Sequence, residues 1–158
     1  MLFRSFIGDA FVQRFPDGIQ PPIIDFRAEV DDLGLVENSV DAAMIIMSYH
    51  DLYVVDESTN WPEIDARNLL GQILRALKPG ARFVIVDHAA ARGTGSSAAQ
   101  ELHRIEEAFA REDIVSNGFR FVRAHRGLAN PNDDHGKLVF DPTVRGKTDR
   151  FILVFEKP

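Results

Sequence analysis

At two places in this sequence, an adjacent histidine and aspartate form a pair shortly after an apolar run. The first pair is His50 with Asp51, and the second is His88 with Asp87. Histidine changes its charge near neutral pH, and an adjacent carboxylate can hold its ring, so either pair can supply a general base. We therefore predict that His50, Asp51 and His88 are catalytic. The alternatives are that His50 is a structural histidine at a strand end and that His88 orients a loop.

The apolar pattern predicts the elements that position these pairs. Residues 42–47 are apolar at every position, which is typical of a strand covered on both faces inside a mostly parallel sheet. Residues 60–77 have helical spacing, with Asn60 as N-cap, and Pro79 prevents the helix from continuing. Residues 83–86 form the next strand. Ligands of such sheets bind at the carboxyl ends of the strands, which is where both pairs lie.

Length and composition limit the functional classes. The chain has 158 residues, 45% of them hydrophobic, and a net charge of −6, so we predict a single domain over residues 1–158 with an ordinary core. The absence of cysteine excludes disulfides and thiolate metal sites. The negative charge and the scattered basic residues argue against nucleic acid as a partner, and no apolar run is long enough for a membrane helix.

The beginning of the chain carries a separate expectation. Residues 1–5 have no signal-peptide character and match the translated end of a common sequencing adaptor. We therefore expect a cytoplasmic bacterial protein, of metagenomic origin, whose reading frame is truncated at the N-terminus. Residues 6–15 are predicted to form a short helix, and residues 23–30 are predicted to form a strand.

Four motifs, in order along the chain, resemble one known family. They are Tyr49-His50-Asp51, Val86-Asp87-His88, His103-Arg104-Ile105, and Thr148 to Phe151 followed by Lys157-Pro158. With these motifs, residues 23–158 resemble the later two-thirds of a class I, Rossmann-like S-adenosylmethionine-dependent methyltransferase. Within that superfamily the resemblance is to a group of bacterial predicted small-molecule methyltransferases.

The resemblance implies an α/β fold. The sheet is expected to be mostly parallel, to lack the first two strands of the family, and to end in an antiparallel hairpin of residues 119–125 and 151–155. Such enzymes hold the cofactor over a glycine-rich turn after the first strand, and nothing before residue 23 supplies one. The pair Gly93 and Gly95 follows the later strand 83–86 instead, where a flexible loop is the simpler interpretation.

The resemblance also implies a cofactor site for S-adenosylmethionine. Glu29 would accept a hydrogen bond from the adenine amino group, and Val30 would pack on the ring. Met47, Ser48 and Tyr49 would line the sulfonium side. The alternatives are that Glu29 is a solvated acid and that Met47 is a core residue.

Several residues are of types that bind cations, but the sequence does not predict a metal site. No pair has a ligand spacing such as HExxH, and residues 130–136 have the composition of a surface turn. His103 falls on a predicted helix over residues 98–117, where it would lie toward the flank and in reach of a substrate. The residues with side chains of such types are His50, Asp51, Asp87, His88, Asp133, Asp134 and His135.

Two functions follow. The first is a methyltransferase acting on an unknown small molecule, with weak or absent cofactor binding because the glycine-rich turn is missing. The second is a non-catalytic or repurposed oligomeric remnant of the same fold. In either case the edge of strand 42–47 would be unpaired, so we expect residues 23–26 to pair with it, or a homodimer to form through that edge or by N-terminal exchange.

Overall fold

The structure is a computed structural model that describes residues 26–59 and 61–158. The chain divides into two units, residues 1–34 and 35–158. In the described part of the first unit, Glu29 and Asp32 form an isolated antiparallel bridge, and the backbone N–H of Asp32 donates to the carbonyl oxygen of Glu29 at 3.2 Å. Residues 26–30 form no strand. The predicted helix 6–15 and the start of the predicted strand 23–30 lie outside the described residues.

The second unit contains a four-stranded sheet. Its strands are β1 (Val40–Ile46), β2 (Leu77–His88), β3 (Arg120–His125) and β4 (Arg150–Glu156), in the spatial order β1-β2-β4-β3. β1 and β2 are parallel, whereas β4 runs antiparallel to both β2 and β3. The predicted Rossmann-like sheet with a C-terminal antiparallel pair is therefore confirmed.

Helix α1 (Ala66–Ala76) connects the two parallel strands. The prediction that this helix begins after Asn60 is wrong, and Asn60 itself lies outside the described residues. The helix begins later, because the Asp65 carboxylate accepts a hydrogen bond from the backbone N–H of Asn68 at 2.9 Å and so caps the first turn. It ends at Ala76, and β2 follows directly.

Among the described residues, cover lies over one face of β1 only. The side chains of Met44 and Ile46 are 60% and 54% exposed, whereas Ala43 and Ile45, on the other face, are partly buried. The prediction of a strand covered on both faces is therefore wrong. An unbroken apolar run shows that a strand tolerates burial, but it does not show that a second layer lies over it.

The core lies against β2 and β4. Phe83 and Ile85 of β2 and Phe155 of β4 are fully buried, and the Phe83 ring lies 4.9 Å from the Phe119 ring, centroid to centroid. The buried face of α1 is formed by Leu69, Leu70, Gln72, Ile73 and Ala76. No helix among the described residues is long and apolar enough to cross a bilayer.

The predicted helix over residues 98–117 is broken. The structure has two helices, α2 (Ala99–Leu102) and α3 (Glu107–Ser116), separated at His103, whose φ of 52° is in the left-handed region. After the break, the backbone N–H of Ile105 donates to the carbonyl oxygen of His88 at 3.0 Å. The chain therefore touches the end of β2 between the two helices, which brings His103 to the same edge of the sheet as the two His-Asp pairs.

Candidate active site

A cavity of about 400 Å³ lies at the carboxyl ends of β1 and β2. The four motifs that carry the family resemblance meet around it, since they supply His50, Asp51, His88 and His103 to its lining and Thr148 behind His88. The rest of the lining is partly apolar and consists of Met47, Val54, Asp56, Thr59, Trp61, Gln100, Val139 and Phe140.

Asp87 fixes His50. Asp87 is fully buried, its Oδ1 accepts from Nδ1 of His50 at 2.8 Å, and its Oδ2 accepts from the backbone N–H of His50 at 2.8 Å. The backbone N–H of His88 also donates to Oδ1, at 2.7 Å. These bonds hold both the main chain and the ring of His50, so its Nε2 is left directed toward Asp51 and His103.

The surrounding carboxylates determine the charge of His50. Burial alone would lower its pKa, but hydrogen bonds to Asp51 and Asp87 outweigh burial and raise the pKa to about 9. Burial alone would raise the pKa of Asp51, but hydrogen bonds to His103 and His50 lower that pKa to about 2. Near neutral pH, therefore, His50 carries a proton and Asp51 is ionised.

His103 completes a cluster of three side chains. Its Nδ1 lies 3.3 Å from Nε2 of His50 and 3.5 Å from Oδ1 of Asp51, and Nε2 of His50 lies 3.1 Å from the same oxygen. The His103 ring also contacts the ring of Phe140, with 5.2 Å between centroids. We call His50, Asp51 and His103 the histidine cluster. The sequence did not predict it, because a continuous helix would have kept His103 at a distance.

His88 lies close to the cluster, but unlike His50 it is neutral near pH 7. Its Nδ1 lies 2.7 Å from Oγ1 of the buried Thr148, which in turn accepts from Nε of Arg150 at 3.1 Å. Burial lowers the pKa of His88 to about 4, so this imidazole is neutral near pH 7.

The residues predicted to bind the cofactor lie in different environments. Met47 lines the cavity in a left-handed conformation, with φ 58°, and Ser48 is partly buried beside it. Tyr49 is fully buried and is not part of the cavity lining. Glu29 and Val30 belong to the first unit, where Glu29 is exposed and Val30 is partly buried.

Asp113 of α3 explains the burial of Tyr49. Its Oδ2 accepts from the hydroxyl of Tyr49 and, at 2.5 Å, from that of Tyr53. Burial raises the pKa of both tyrosines well above the ordinary value. The two tyrosines thus attach the 3₁₀ turn His50–Tyr53 to α3 and fix the position of the histidine cluster.

A buried ion pair supports the far side of the cavity. Arg104 and Asp133 form a bidentate pair at 2.8 and 3.2 Å, and Arg104 is fully buried. Arg104 also donates to the carbonyl oxygens of Ala89 and Lys137. The pair therefore links the break after α2 to the end of β2 and to the loop before Val139, which explains why the arginine follows His103 directly.

No protein-family model matches the chain, and neither does any curated protein sequence. Solved structures do match. The S-adenosylmethionine-dependent methyltransferase from Aquifex aeolicus is 15% identical, with a TM-score of 0.58, over 94% of this chain and 61% of its own. The one from Mesorhizobium loti is 16% identical, with a TM-score of 0.57, over 94% and 76%.

The [4+2]-cyclase SpnF also matches, with 17% identity and a TM-score of 0.52, over 83% of this chain and 54% of its own. The chain thus spans less than two-thirds of the Aquifex and SpnF chains. At such low identities, a structural likeness establishes the fold and leaves the chemistry open. The chain has the fold of the class I S-adenosylmethionine-dependent methyltransferases.

Proposed function

We propose that this protein transfers a methyl group from S-adenosylmethionine to a small molecule that binds in the 400 Å³ cavity. The observation that supports this most is the placement of the histidine cluster at the carboxyl ends of the parallel strands β1 and β2, where ligands of open α/β sheets bind. The cavity is of a size that suits a small molecule rather than a polymer.

The proposed roles follow from charge and position. Methyl transfer needs the acceptor atom to be held in line with the sulfonium, and positioning alone supplies several kcal/mol. His50 holds its proton at neutral pH, so we assign it a positioning role rather than that of a free base. Asp51 and His103 are more exposed to the cavity and are the groups that we expect to contact the acceptor. Neutral His88 is available to donate or accept a hydrogen bond there.

We further propose that the chain binds S-adenosylmethionine weakly. Its sequence before residue 23 contains no GxGxG turn, and such a turn supplies the backbone N–H groups that grip the methionine end of the cofactor in this fold. We assign Met47, which lines the cavity, and the adjacent Ser48 to the sulfonium side of the cofactor.

Calorimetry and a thermal-shift titration with S-adenosylhomocysteine test the proposal. A bound ligand at a hundredfold excess over its Kd stabilises the folded chain by about 2.7 kcal/mol. We expect a shift that appears only toward millimolar ligand and is reduced by Met47→Ala but not by His125→Ala, an exposed change on β3. Low-micromolar binding would contradict weak affinity, and no shift at any concentration would contradict cofactor binding altogether.

A repurposed domain is the second candidate, and SpnF supports it because a protein described as a cyclase has the same fold. The two candidates differ in one measurement. Incubation with radiolabelled S-adenosylmethionine and a panel of phenols, amines and carboxylates transfers label to an acceptor only if the first candidate is right. A cofactor-binding chain that labels none of these acceptors would favour the second.

A further inference from the structure

We propose that the histidine cluster binds a first-row divalent transition-metal ion such as Zn²⁺. The ligand atoms are Nε2 of His50, Oδ1 of Asp51 and Nδ1 of His103, all within 4.8 Å of one another. The inference rests on four observations: the spacing of these atoms, the way in which they are oriented, the type of ligand, and the open space in front of them.

The spacing is that of three ligands on one ion. Zn²⁺ binds nitrogen and oxygen at about 2.0–2.2 Å, so ligand atoms at angles between a right angle and the tetrahedral angle are about 2.8–3.6 Å apart. The three separations in the structure are 3.1, 3.3 and 3.5 Å. One ion can therefore lie at bonding distance from all three atoms.

The orientation of His50 is that of a metal ligand with a supporting carboxylate. Metal-binding histidines donate their other ring nitrogen to a carboxylate or carbonyl, which fixes the tautomer and makes the ligand more basic. Asp87 accepts from Nδ1 of His50 at 2.8 Å and is itself held by two backbone N–H groups. This arrangement directs Nε2 of His50 to the centre of the cluster, where a bound ion would replace the proton that Nε2 carries in the metal-free chain.

The backbone at His103 supports the same interpretation. Its φ of 52° is uncommon for a residue other than glycine, and such conformations concentrate at functional sites. The break in the helix that this conformation produces is what brings Nδ1 of His103 to within reach of His50 and Asp51.

The ligand types select the ion. Two imidazoles and one carboxylate suit zinc, iron and other first-row divalent metals, whereas magnesium and calcium prefer sites made of oxygen. The three protein ligands would occupy one side of the ion. Its remaining coordination positions would then be open toward the cavity, which Asp51 and His103 both line. An oxygen of the methyl acceptor would bind there. That role rests on the proposed function, but the metal site itself does not.

The test is metal uptake by the whole, tag-free chain after treatment with a chelator. We expect one Zn²⁺ per chain in calorimetry. With Co²⁺ we expect a visible absorption band of the kind given by an ion with four or five ligands.

His103→Asn removes one ligand while keeping a residue that tolerates the left-handed backbone. It and Asp51→Asn are expected to weaken Zn²⁺ binding at least about tenfold, and Asp87→Asn to weaken it about 10–100-fold. His125→Ala, which removes an exposed histidine of β3, is the matched control and should bind as the unaltered chain does.

Circular dichroism without metal shows whether each variant folds. Only the Zn²⁺ affinities of the variants that fold are compared with that of the unaltered chain. No uptake at micromolar free Zn²⁺ by the unaltered chain overturns the proposal. So does uptake that all the cluster variants share, because the ion would then lie elsewhere. A thermal shift with S-adenosylhomocysteine on the same samples separates the two proposals: Zn²⁺ binding without cofactor binding keeps the metal site and removes its role in methyl transfer.

Discussion

At the scale of single residues, Asp87 and Arg104 hold the site in place although neither lines the cavity. Both are fully buried: Asp87 accepts hydrogen bonds from His50 and from its neighbour His88, and Arg104 bonds to Ala89, Asp133 and Lys137. A buried charge is tolerated only when its partners are complete, so the loss of one partner costs more than the pair contributes.

Breaking the buried pair should destabilise the protein strongly. Asp133→Asn leaves the Arg104 guanidinium buried without a counter-charge, and we expect the free energy of unfolding to fall by about 3–5 kcal/mol. The same substitution at Asp41 affects a pair with Lys78 that lies in solvent, and there we expect a change of less than about 1 kcal/mol. Chemical denaturation measures both. Equal losses would show that burial does not control the energetics of these pairs.

His88 should make stability depend on pH on the acid side. Its pKa is about 4 in the folded chain and 6.5 when exposed, so the unfolded chain takes up the proton first as the pH falls. The stability that neutral His88 contributes is fully present above pH 6.5, the pKa of an exposed histidine. It is lost as the pH falls from there toward 4, the pKa of His88 in the folded chain. Because the ring is partly exposed, we expect a loss of about 1–2 kcal/mol rather than the full shift. His88→Gln should flatten this part of a urea-denaturation pH profile; an unchanged slope would exclude His88 as its source.

At the scale of elements, the turn that ends α3 depends on a glycine. Gly118 has φ +96°, and a Cβ there would lie 3.0 Å from Cδ2 of Leu74. Gly118→Ala is therefore both strained and crowded, and we expect it to cost about 1–3 kcal/mol. Gly71 lies inside α1, where a Cβ meets only the end of Arg75 at 3.7 Å. Gly71→Ala should stabilise by about 0.5–1 kcal/mol, so thermal unfolding of the two variants should shift in opposite directions.

Some elements of the fold can be predicted from the local sequence pattern, and the break at His103 cannot. The strands and α1 follow from apolar periodicity, and the sequence predicted the place of His50 and His88 because strand ends are visible in that pattern. The break at His103 has no such signal, since residues on both sides of it have helical spacing and no glycine or proline intervenes. The break depends on contacts that only the folded chain makes, notably those of Arg104 with Ala89 and Asp133. The histidine cluster therefore could not be found from spacing alone.

At the scale of the whole molecule, the two outer strands of the described sheet differ in character. β3 carries Arg120 and Arg123, and charges on an outer strand discourage pairing with another chain. β1 has only Asp41, near its start, and exposes Met44 and Ile46 along one face. An outer strand that is apolar over most of its length is a surface on which protein chains associate.

We therefore expect two copies of the chain to associate through β1. Met44→Lys places a charge in the middle of the exposed face and should shift light scattering toward the monomer, with little loss of stability because the side chain is already 60% exposed. Val122→Lys is the matched change on β3, where the apolar side chain is less exposed, and it should leave the association unchanged.

If residues 23–26 pair with β1 instead, the unaltered chain will be monomeric at tens of micromolar and the amides of β1 will exchange slowly with solvent. Equal effects of the two lysines would place the contact on neither strand in particular, and the preference for β1 would then be wrong.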